Sequence, residues 1–318
     1  MAIFLTEQEV SRLLNLPEAI DALDAAFWRQ AQGEVINQPR RRLHLPEGTY
    51  HTMIAADMEL RTFAIKAYTS FRPATRFLVW LYNADNGDLL AVMEADTLGQ
   101  VRTGAATGVA ARYLALKSTG LRVGIFGTGW QAQSQLEAVC AVREVHEIVA
   151  YSRNEARRNT FCEQMTARLG VPVVPATAPE QAAQERDIVI TATTSLTPVL
   201  RGEWLAPGAF VAAVGSNLLI KREIDEETVR RSALIVVDSV EQAKIEAGDL
   251  LPPYEKRLFR WEQVAELKDV VAGACPGRTG SDQIVLFKST GLAMEDVAVA
   301  TLVYYHAQQS GAGTPLPF

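Results

Sequence analysis

The chain has 318 residues, of which 48% are hydrophobic and 21% charged, and its formal net charge is −6. This is the composition of a folded protein long enough for two domains, so disorder is excluded as the default state. Because 31 Lys and Arg are outnumbered by 37 Asp and Glu, the chain lacks the basic surface that nucleic acids or anionic membranes require. We therefore expect neither as a partner.

Cysteine and histidine are sparse in this sequence. Cys140, Cys162 and Cys275 form no C-x-x-C pair, and the four histidines are not spaced as metal ligands, so we predict neither a disulfide framework nor a metal site. The amino terminus has no basic segment ahead of an apolar run, and no stretch approaches the roughly 18 apolar residues that span a bilayer. These features predict a cytoplasmic protein.

The first third of the chain predicts two helices and then an antiparallel sheet. Thr6 and Glu9 have the spacing of a capping box, and Pro17 suits the first turn of a second helix that ends near Gln32. Alternating or β-branched runs separated by turn residues predict short strands at 42–45, 50–54, 63–69, 77–82 and 89–93. The alanine-rich stretch 102–116 predicts a packed helix.

After Gly120 the pattern changes to short apolar runs that alternate with helical stretches. This alternation is typical of a parallel sheet with helices on both faces. The fold class is therefore predicted as α/β, a Rossmann-type doubly wound parallel sheet plus an α+β domain with the antiparallel sheet. The tail, residues 310–318, has the composition of a frayed terminus. The predicted strands are 123–126, 148–151, 188–191, 210–214, 234–237 and 284–287, and the last helix runs from 292 to about 308.

A glycine motif follows the first of these strands. Gly127 permits a tight turn, Gly129 lets a pyrophosphate approach the backbone, and Ala132 lets the next helix pack closely, while the helix amino terminus offers free N–H groups. Trp130 and Gln131 lie in the same loop. With a strand before it and a helix after it, the motif predicts dinucleotide binding.

The end of the second strand bears on which dinucleotide binds. NAD-preferring proteins carry an acidic residue there, but this strand ends in Ser152 and Arg153. A hydroxyl and a guanidinium can bind a 2′-phosphate, so NADP is the predicted cofactor. Alternatively, Arg153 is an ordinary surface residue and the cofactor is NAD.

Ordered motifs run along nearly the whole chain. They include Gln38-Pro39-x-Arg41, Arg102-Thr103-Gly104-Ala105-Ala106, Val214-Gly215-Ser216 and Ser289-Thr290-Gly291-Leu292-Ala293-x-Glu295-Asp296. In these motifs the chain resembles the ornithine cyclodeaminase and mu-crystallin family. The resemblance implies a nicotinamide cofactor and a small amino or imino acid as substrate. It also implies a substrate-binding and dimerisation domain, residues 1–117 and 291–318, with a Rossmann domain, residues 118–290, inserted in it, and a homodimer.

The resemblance assigns Arg41 and Lys66 to the substrate carboxylate. A fork-shaped donor beside a cation on rigid strands suits that task, although Arg40 and Arg42 are alternatives one position away. Met53 and Thr290 are the other expected substrate contacts. The cofactor contacts that the resemblance adds to the glycine loop are Arg102, Thr103, Thr193, Val214, Gly215, Ser216, Lys221 and Ser289.

Two departures from the family pattern bear on the reaction. Asn217 stands where the cyclodeaminases carry an aspartate, and His51 stands where they carry a glutamate. Asparagine cannot transfer a proton near neutral pH, whereas reduction of a protonated C=N mainly needs orientation and hydride delivery. We therefore expect a reductase of a ketimine acid such as pyrroline- or piperideine-2-carboxylate, with Lys66, Asn217 and His51 at the reacting centre. The alternatives are an ornithine cyclodeaminase and a crystallin-like protein that binds NADP without turnover.

Overall fold

A computed structural model describes residues 1–71 and 75–317 of the chain. Its amino-terminal part contains a short strand, two helices, five longer strands and a long helix. The predicted strands are confirmed, although the first of them begins at Val35 rather than at Arg42. These elements are β1 (Ile3–Leu5), α1 (Glu7–Leu13), α2 (Leu16–Ala31), β2 (Val35–Leu45), β3 (Gly48–Asp57), β4 (Thr62–Phe71), β5 (Thr75–Asn83), β6 (Leu89–Glu94) and α3 (Asp96–Leu114).

Local chemistry sets the bounds of the first two helices. The capping box at the start of α1 is confirmed, because Thr6 accepts from the Glu9 N–H and the Glu9 carboxylate accepts from the Thr6 N–H. Pro17 occupies the first turn of α2, where its missing N–H costs nothing. Gly33, with φ of +83°, turns the chain out of the helix.

The central part of the chain is a fully parallel sheet with helical connections. Its strand order is β13-β12-β14-β11-β10-β7-β8-β9, so the chain leaves β7 in one direction and returns to its other side at β10. Both faces are covered, and its strands are almost wholly apolar, as predicted. The elements are β7 (Leu121–Phe126), α4 (Trp130–Val142), β8 (Val145–Tyr151), α5 (Glu155–Leu169), β9 (Val173–Pro175), β10 (Ile188–Thr191), β11 (Phe210–Ala213), α6 (Glu226–Arg231), β12 (Ser232–Val237), α7 (Val240–Glu246), α8 (Leu251–Glu255), β13 (Ala265–Glu266), α9 (Leu267–Val271) and β14 (Ile284–Lys288).

The chain then returns to the first sheet through α10 (Ala293–Ser310) and β15 (Thr314–Pro315). Helix α10 packs beside α2 on the sheet of order β15-β1-β6-β5-β4-β3-β2. The prediction of a frayed tail was wrong, because β15 pairs with β1 and the Leu316 N–H donates to the Ala2 carbonyl. Phe318, the last residue of that tail, lies outside the described residues.

Two compact units result, residues 1–106 with 291–318 (unit 1) and residues 107–290 (unit 2). The predicted domain limit at 117/118 lies past the end of α3, and the predicted limit at 290/291 falls at the same residue as the division between the units. None of the helices in residues 1–71 and 75–317 is both long enough and apolar enough to cross a bilayer.

Candidate active site

The predicted glycine turn of unit 2 has the geometry of a phosphate cradle. Gly127 has φ of +103°, and a Cβ there would lie 2.3 Å from the Ala192 carbonyl oxygen beyond β10. Gly129 caps α4, and a Cβ on it would meet no atom within 4 Å, so the surface beside it is open. Ala132 is fully buried, and the buried Gln131 Oε1 has no hydrogen-bond partner in the described part of the chain. The turn therefore fits a dinucleotide pyrophosphate.

Ser152 and Arg153 lie beside this turn, at the end of β8. The Ser152 hydroxyl is 2.8 Å from the Thr128 hydroxyl of the glycine loop, and the Ser152 carbonyl accepts from Arg158 Nη1. Arg153 is exposed. The strand end thus presents hydroxyls and a cation where an acid would select an unmodified ribose.

Thr193 and Gly215 lie just beyond the neighbouring ends of β10 and β11. Their backbone N–H groups donate to the two oxygens of the Glu223 carboxylate, each at 2.6 Å. Burial raises the pKa of Glu223, while the charge of Lys288 acts to lower it. Glu223 has no role in the sequence-based prediction. Asp249, which accepts from the Glu223 N–H, and Lys288, which pairs with Asp249, were also missed. A lysine directly after the apolar run Ile284–Phe287 was an available signal for Lys288.

The strand ends of β12 and β14 are joined by Asp238. This buried carboxylate accepts from the hydroxyls of Ser289 and Thr290, at 3.0 and 3.1 Å, and from the Thr290 N–H at 2.6 Å. It therefore orients both hydroxyls that the resemblance assigned to cofactor and substrate.

The remaining predicted residues of unit 2 lie at the end of β11 or in the loop after it. Val214 donates its N–H to the Thr191 carbonyl, and the buried Ser216 donates its hydroxyl to the Leu218 carbonyl. Asn217 is half-buried two residues past Gly215, and Lys221 closes a turn by donating its N–H to Leu218. The carboxyl edge of the sheet therefore gathers these four residues with Thr193, Ser289 and the glycine turn, which is where doubly wound sheets place their ligands.

In unit 1, the face of the sheet under α10 carries a buried set of charges. Lys66 of β4 lies opposite Met53 of β3, and both are at most 2% exposed. Lys66 Nζ is 2.7 Å from Asp296 Oδ1. A Cβ on Gly99 of α3 would lie 3.2 Å from Lys66 Nζ, so the glycine leaves room for the ammonium. Burial and the charge of Arg102 lower the pKa of Lys66 to about 8, against the opposite effect of Asp296.

Arg102 belongs to the same set of charges. Its Nη1 is 2.7 Å from Glu295 Oε2 and its Nε is 3.2 Å from Asp296 Oδ1. Burial opposes its charge, but the two carboxylates outweigh that effect and raise its pKa. The neighbouring Thr103 donates its hydroxyl to the Gly99 carbonyl of its own helix. The predicted phosphate contacts of Arg102 and Thr103 stay predictions.

The arginine on this face is Arg40 rather than Arg41. The pairing of β2 with β3 shifts between Gln38 and Arg41, so Arg41 lies opposite Thr52 and is exposed. Arg40 is 6% exposed, and its Nη2 donates to the Gly291 carbonyl at 3.3 Å. A β-bulge inverts the alternation of side chains here, which sequence periodicity does not reveal, so the arginine beside Lys66 is the alternative one position before Arg41. The role of either arginine in carboxylate binding stays a prediction.

His51 lies on the same face and stacks on Tyr68, with ring centroids 4.1 Å apart. Burial, together with the charges of Arg42 and Arg40, lowers its pKa to about 4. Its Nε2 is 3.2 Å from the Ser70 hydroxyl. At neutral pH His51 is therefore an uncharged ring.

Together, the open glycine turn at the switch point of a doubly wound sheet and the second, α+β unit define a two-unit α/β protein of the Rossmann type. The chain belongs to the ornithine cyclodeaminase/mu-crystallin family, whose model matches residues 1–311. The resemblance predicted from the sequence motifs is thereby confirmed.

Individual relatives are similar along the whole chain. Alanine dehydrogenase of Archaeoglobus fulgidus is 34% identical over 325 aligned positions, which cover 99% of this chain and 98% of that protein. Δ1-Pyrroline-2-carboxylate reductase of Thermococcus litoralis, solved with NADH and L-proline, has a TM-score of 0.94 at 33% identity and covers 99% of this chain and 100% of its own. An archaeal alanine dehydrogenase dimer with bound NAD has a TM-score of 0.93 at 34% identity, covering 100% and 99%.

Proposed function

We propose that the protein is an NAD(P)H-dependent oxidoreductase that reduces the C=N bond of a small ketimine acid, such as pyrroline-2-carboxylate or piperideine-2-carboxylate. The observation that carries this proposal is the group of buried cations on one face of unit 1. Arg40, Lys66 and Arg102 lie there, each at most 8% exposed, and Glu295 and Asp296 pair with the last two. Guanidinium and ammonium donors gathered on one buried face suit a substrate that brings a carboxylate.

Arg40 and Lys66 hold the substrate carboxylate in this proposal. The guanidinium offers a planar fork of donors, and the ammonium adds a point charge. Asp296 orients Lys66 through its 2.7 Å bond and keeps part of its charge compensated before substrate arrives. Met53, opposite Lys66 on the neighbouring strand, supplies apolar surface for the carbon skeleton.

The groups at positions 217 and 51 favour imine reduction over cyclodeamination. Asn217 has no titratable proton, and His51 is uncharged at neutral pH because its pKa is lowered to about 4. Oxidation of a diamine followed by ring closure and ammonia loss needs a proton acceptor and donor, whereas a C=N bond that is already protonated needs chiefly orientation beside a hydride source.

The residues of unit 2 fit a nicotinamide dinucleotide, which when bound supplies the hydride. Gly127, Gly129 and the amino terminus of α4 receive its pyrophosphate, and Thr193, Val214 to Ser216, Lys221 and Ser289 line the strand ends. At the ribose, Ser152 and Arg153 support NADP as the preferred form, because a hydroxyl and an exposed guanidinium at this strand end can bind a 2′-phosphate. NAD is the alternative, and two of the similar solved structures hold NADH or NAD.

A homodimer formed through unit 1 is part of the proposal. The face of its sheet opposite Lys66 exposes a row of large apolar side chains at the end occupied by β2 and β3. The row comprises Ile36, Leu43, Leu45 and Ile54, each 38–58% exposed. The similar archaeal alanine dehydrogenase was solved as a dimer. Light scattering of the purified protein checks this association.

A pair of substrates that differ only in the carboxylate tests the proposal. Pyrroline-2-carboxylate should oxidise NADPH or NADH, whereas 1-pyrroline, the same ring without the carboxylate, should react with a kcat/KM lower by about 100-fold or more. Equal reaction of both rings would contradict the role of the cationic face. Tight cofactor binding with no reduction of any imine acid would instead support the crystallin-like alternative.

A further inference from the structure

Three charged side chains of unit 2 form a buried cluster that the proposed function has not used. Glu223, Asp249 and Lys288 are each at most 1% exposed. We refer to these three residues as the strand-end clamp, because their contacts join the carboxyl ends of neighbouring strands in the parallel sheet.

Glu223 supplies the first half of the clamp. Its Oε1 accepts from the Thr193 N–H and its Oε2 from the Gly215 N–H, both at 2.6 Å. These amides lie two residues beyond the ends of the adjacent strands β10 and β11. A Cβ on Gly215 would lie 2.2 Å from the Thr193 nitrogen, so the two segments are in close contact. One carboxylate therefore sets the spacing of two predicted cofactor-binding segments.

Asp249 and Lys288 close the clamp. Asp249 Oδ1 accepts from the Glu223 N–H at 2.6 Å, and its Oδ2 is 2.9 Å from Lys288 Nζ. Lys288, the last residue of β14, also donates to the Ser216 carbonyl at 2.6 Å. Glu223 thus binds the segments after β10 and β11, and Asp249 links Glu223 to Lys288 at the end of β14. Lys288 in turn binds the segment after β11.

The clamp carries a net negative charge. Both oxygens of Glu223 accept from backbone N–H groups, and these bonds, with the charge of Lys288, favour the ionised form against the effect of burial on its pKa. Asp249 is paired with Lys288. Two carboxylates against one ammonium leave a charge of −1 in a site that excludes water. A fixed charge of this kind acts over several ångströms because the surroundings screen it weakly.

We propose that the strand-end clamp positions the nicotinamide half of the cofactor site and stabilises positive charge on the bound ring, an inference that rests on the proposed function. In a doubly wound sheet each half binds one mononucleotide, and β10, β11 and β14 form the half opposite Ser152. Hydride donation leaves the nicotinamide ring cationic, and a preorganised negative charge lowers the cost of that change. Glu223 therefore favours the oxidised cofactor over the reduced one.

The test compares Glu223→Gln with the wild-type protein in the binding of both redox forms, measured by calorimetry. Gln keeps the volume, removes the charge and turns an NH₂ group toward an N–H donor. We expect Kd to rise about 10-fold for the oxidised form and only about 3-fold for the reduced form. A purely structural role would weaken both forms equally, and that result, or unchanged binding by the folded variant, would overturn the inference.

Asp187→Asn is the matched control. Asp187 Oδ2 accepts from the Arg122 N–H at 2.8 Å and so joins the starts of β10 and β7 at the opposite edge of the sheet. The Kd values of the oxidised and the reduced cofactor should each change by no more than about 2-fold in Asp187→Asn, because Asp187 lies at the edge of the sheet opposite the cofactor-binding strand ends. A wild-type protein that binds neither form would refute the proposed function itself, which is distinguishable from a failure confined to Glu223→Gln.

If Glu223→Gln does not fold, amide hydrogen exchange of the wild-type protein tests whether Glu223 positions the segments of Thr193 and Gly215. The amides of Thr193 and Gly215 should exchange slowly in the absence of cofactor, as strand amides do. Fast exchange that slows only when cofactor is added would overturn the positioning role.

Discussion

Lys66 lies in a site that disfavours its charge, because burial and Arg102 lower its pKa more than Asp296 raises it. With a pKa of about 8, its ammonium is still the main form at neutral pH. Substituting Lys66 with Ala should raise the KM for the imine acid about 10-fold to 100-fold, because one of the two side chains that donate to the substrate carboxylate is lost. Cofactor Kd should not change. The matched control is Lys117→Ala on the exposed surface, and an unaltered KM in Lys66→Ala would remove Lys66 from the substrate site.

The lowered pKa of Lys66 also predicts a pH dependence. Its ammonium is present below about 8 and is lost above that value, so the KM of the wild-type enzyme should rise as pH increases from about 7 to about 9. The Lys66→Arg variant stays charged over this range, so its KM should rise less than that of the wild-type enzyme. The substrate's own titration affects both proteins equally and cancels in the comparison. Parallel profiles for the two proteins would show that another group controls carboxylate binding.

Ser152 is the residue that tests cofactor choice. Ser152→Asp places a carboxylate beside the ribose end of the site, so the preference for NADP over NAD should fall about 10-fold or more through repulsion of the 2′-phosphate. Ser152→Ala removes the hydroxyl without adding charge and separates the two effects. Kinetics with both cofactors measure the ratio, and an unchanged ratio in Ser152→Asp contradicts the assignment of this strand end.

Among the secondary-structure elements, α3 depends on a carboxylate from α1. Glu7 accepts from the N–H groups of Asp96 and Thr97, at 3.0 and 2.6 Å, and the Glu7 N–H donates to Glu94 at 2.7 Å. Glu7→Gln should therefore lower the free energy of unfolding by about 1 kcal/mol, through loss of a charged helix cap. Denaturant unfolding checks this, with the exposed Glu59→Gln as the control, and equal stability of the two variants would contradict the capping role.

The elements predicted well from the sequence are those with local signals. The capping box of α1, the proline of α2 and the glycine turn before α4 each act within a few residues, and the structure has all three. Elements that depend on distant partners were missed. Strand β15 forms only because β1 offers it an edge. The first half of β2 contains Pro39, which a strand tolerates at an edge or at a bulge, and β2 is an edge strand with a bulge at that position.

The same distinction applies to the candidate site. Lys66 and Met53 could be placed from alternation and resemblance, but the β-bulge in β2 moved the buried arginine to Arg40. The ion pairs of Lys66 and Arg102 join residues about 200 positions apart in sequence, and neither pattern nor spacing predicts such contacts. For the same reason the strand-end clamp became visible only in the folded chain.

For the whole molecule, the net charge of −6 does not show where the buried cations lie. In unit 1, Lys66 and Arg102 are held by carboxylates from the first turn of α10, and Arg40 is buried on the same face. In unit 2, the proposed role of the strand-end clamp depends on the negative charge of Glu223. The two proposals thus assign an anionic substrate group to one buried region and the positive charge of a cofactor ring to the influence of the other.

Imine reduction and cyclodeamination are distinguished by one comparison, in which the rate of cofactor oxidation with cyclic ketimine acids is measured beside the conversion of ornithine. Purified protein should oxidise NADPH, or NADH more slowly, with pyrroline- or piperideine-2-carboxylate and form the cyclic amino acid, while ornithine with the oxidised cofactor should yield neither proline nor ammonia. Steady release of proline and ammonia from ornithine, with no reduction of either ketimine acid, would contradict the assignment as an imine reductase.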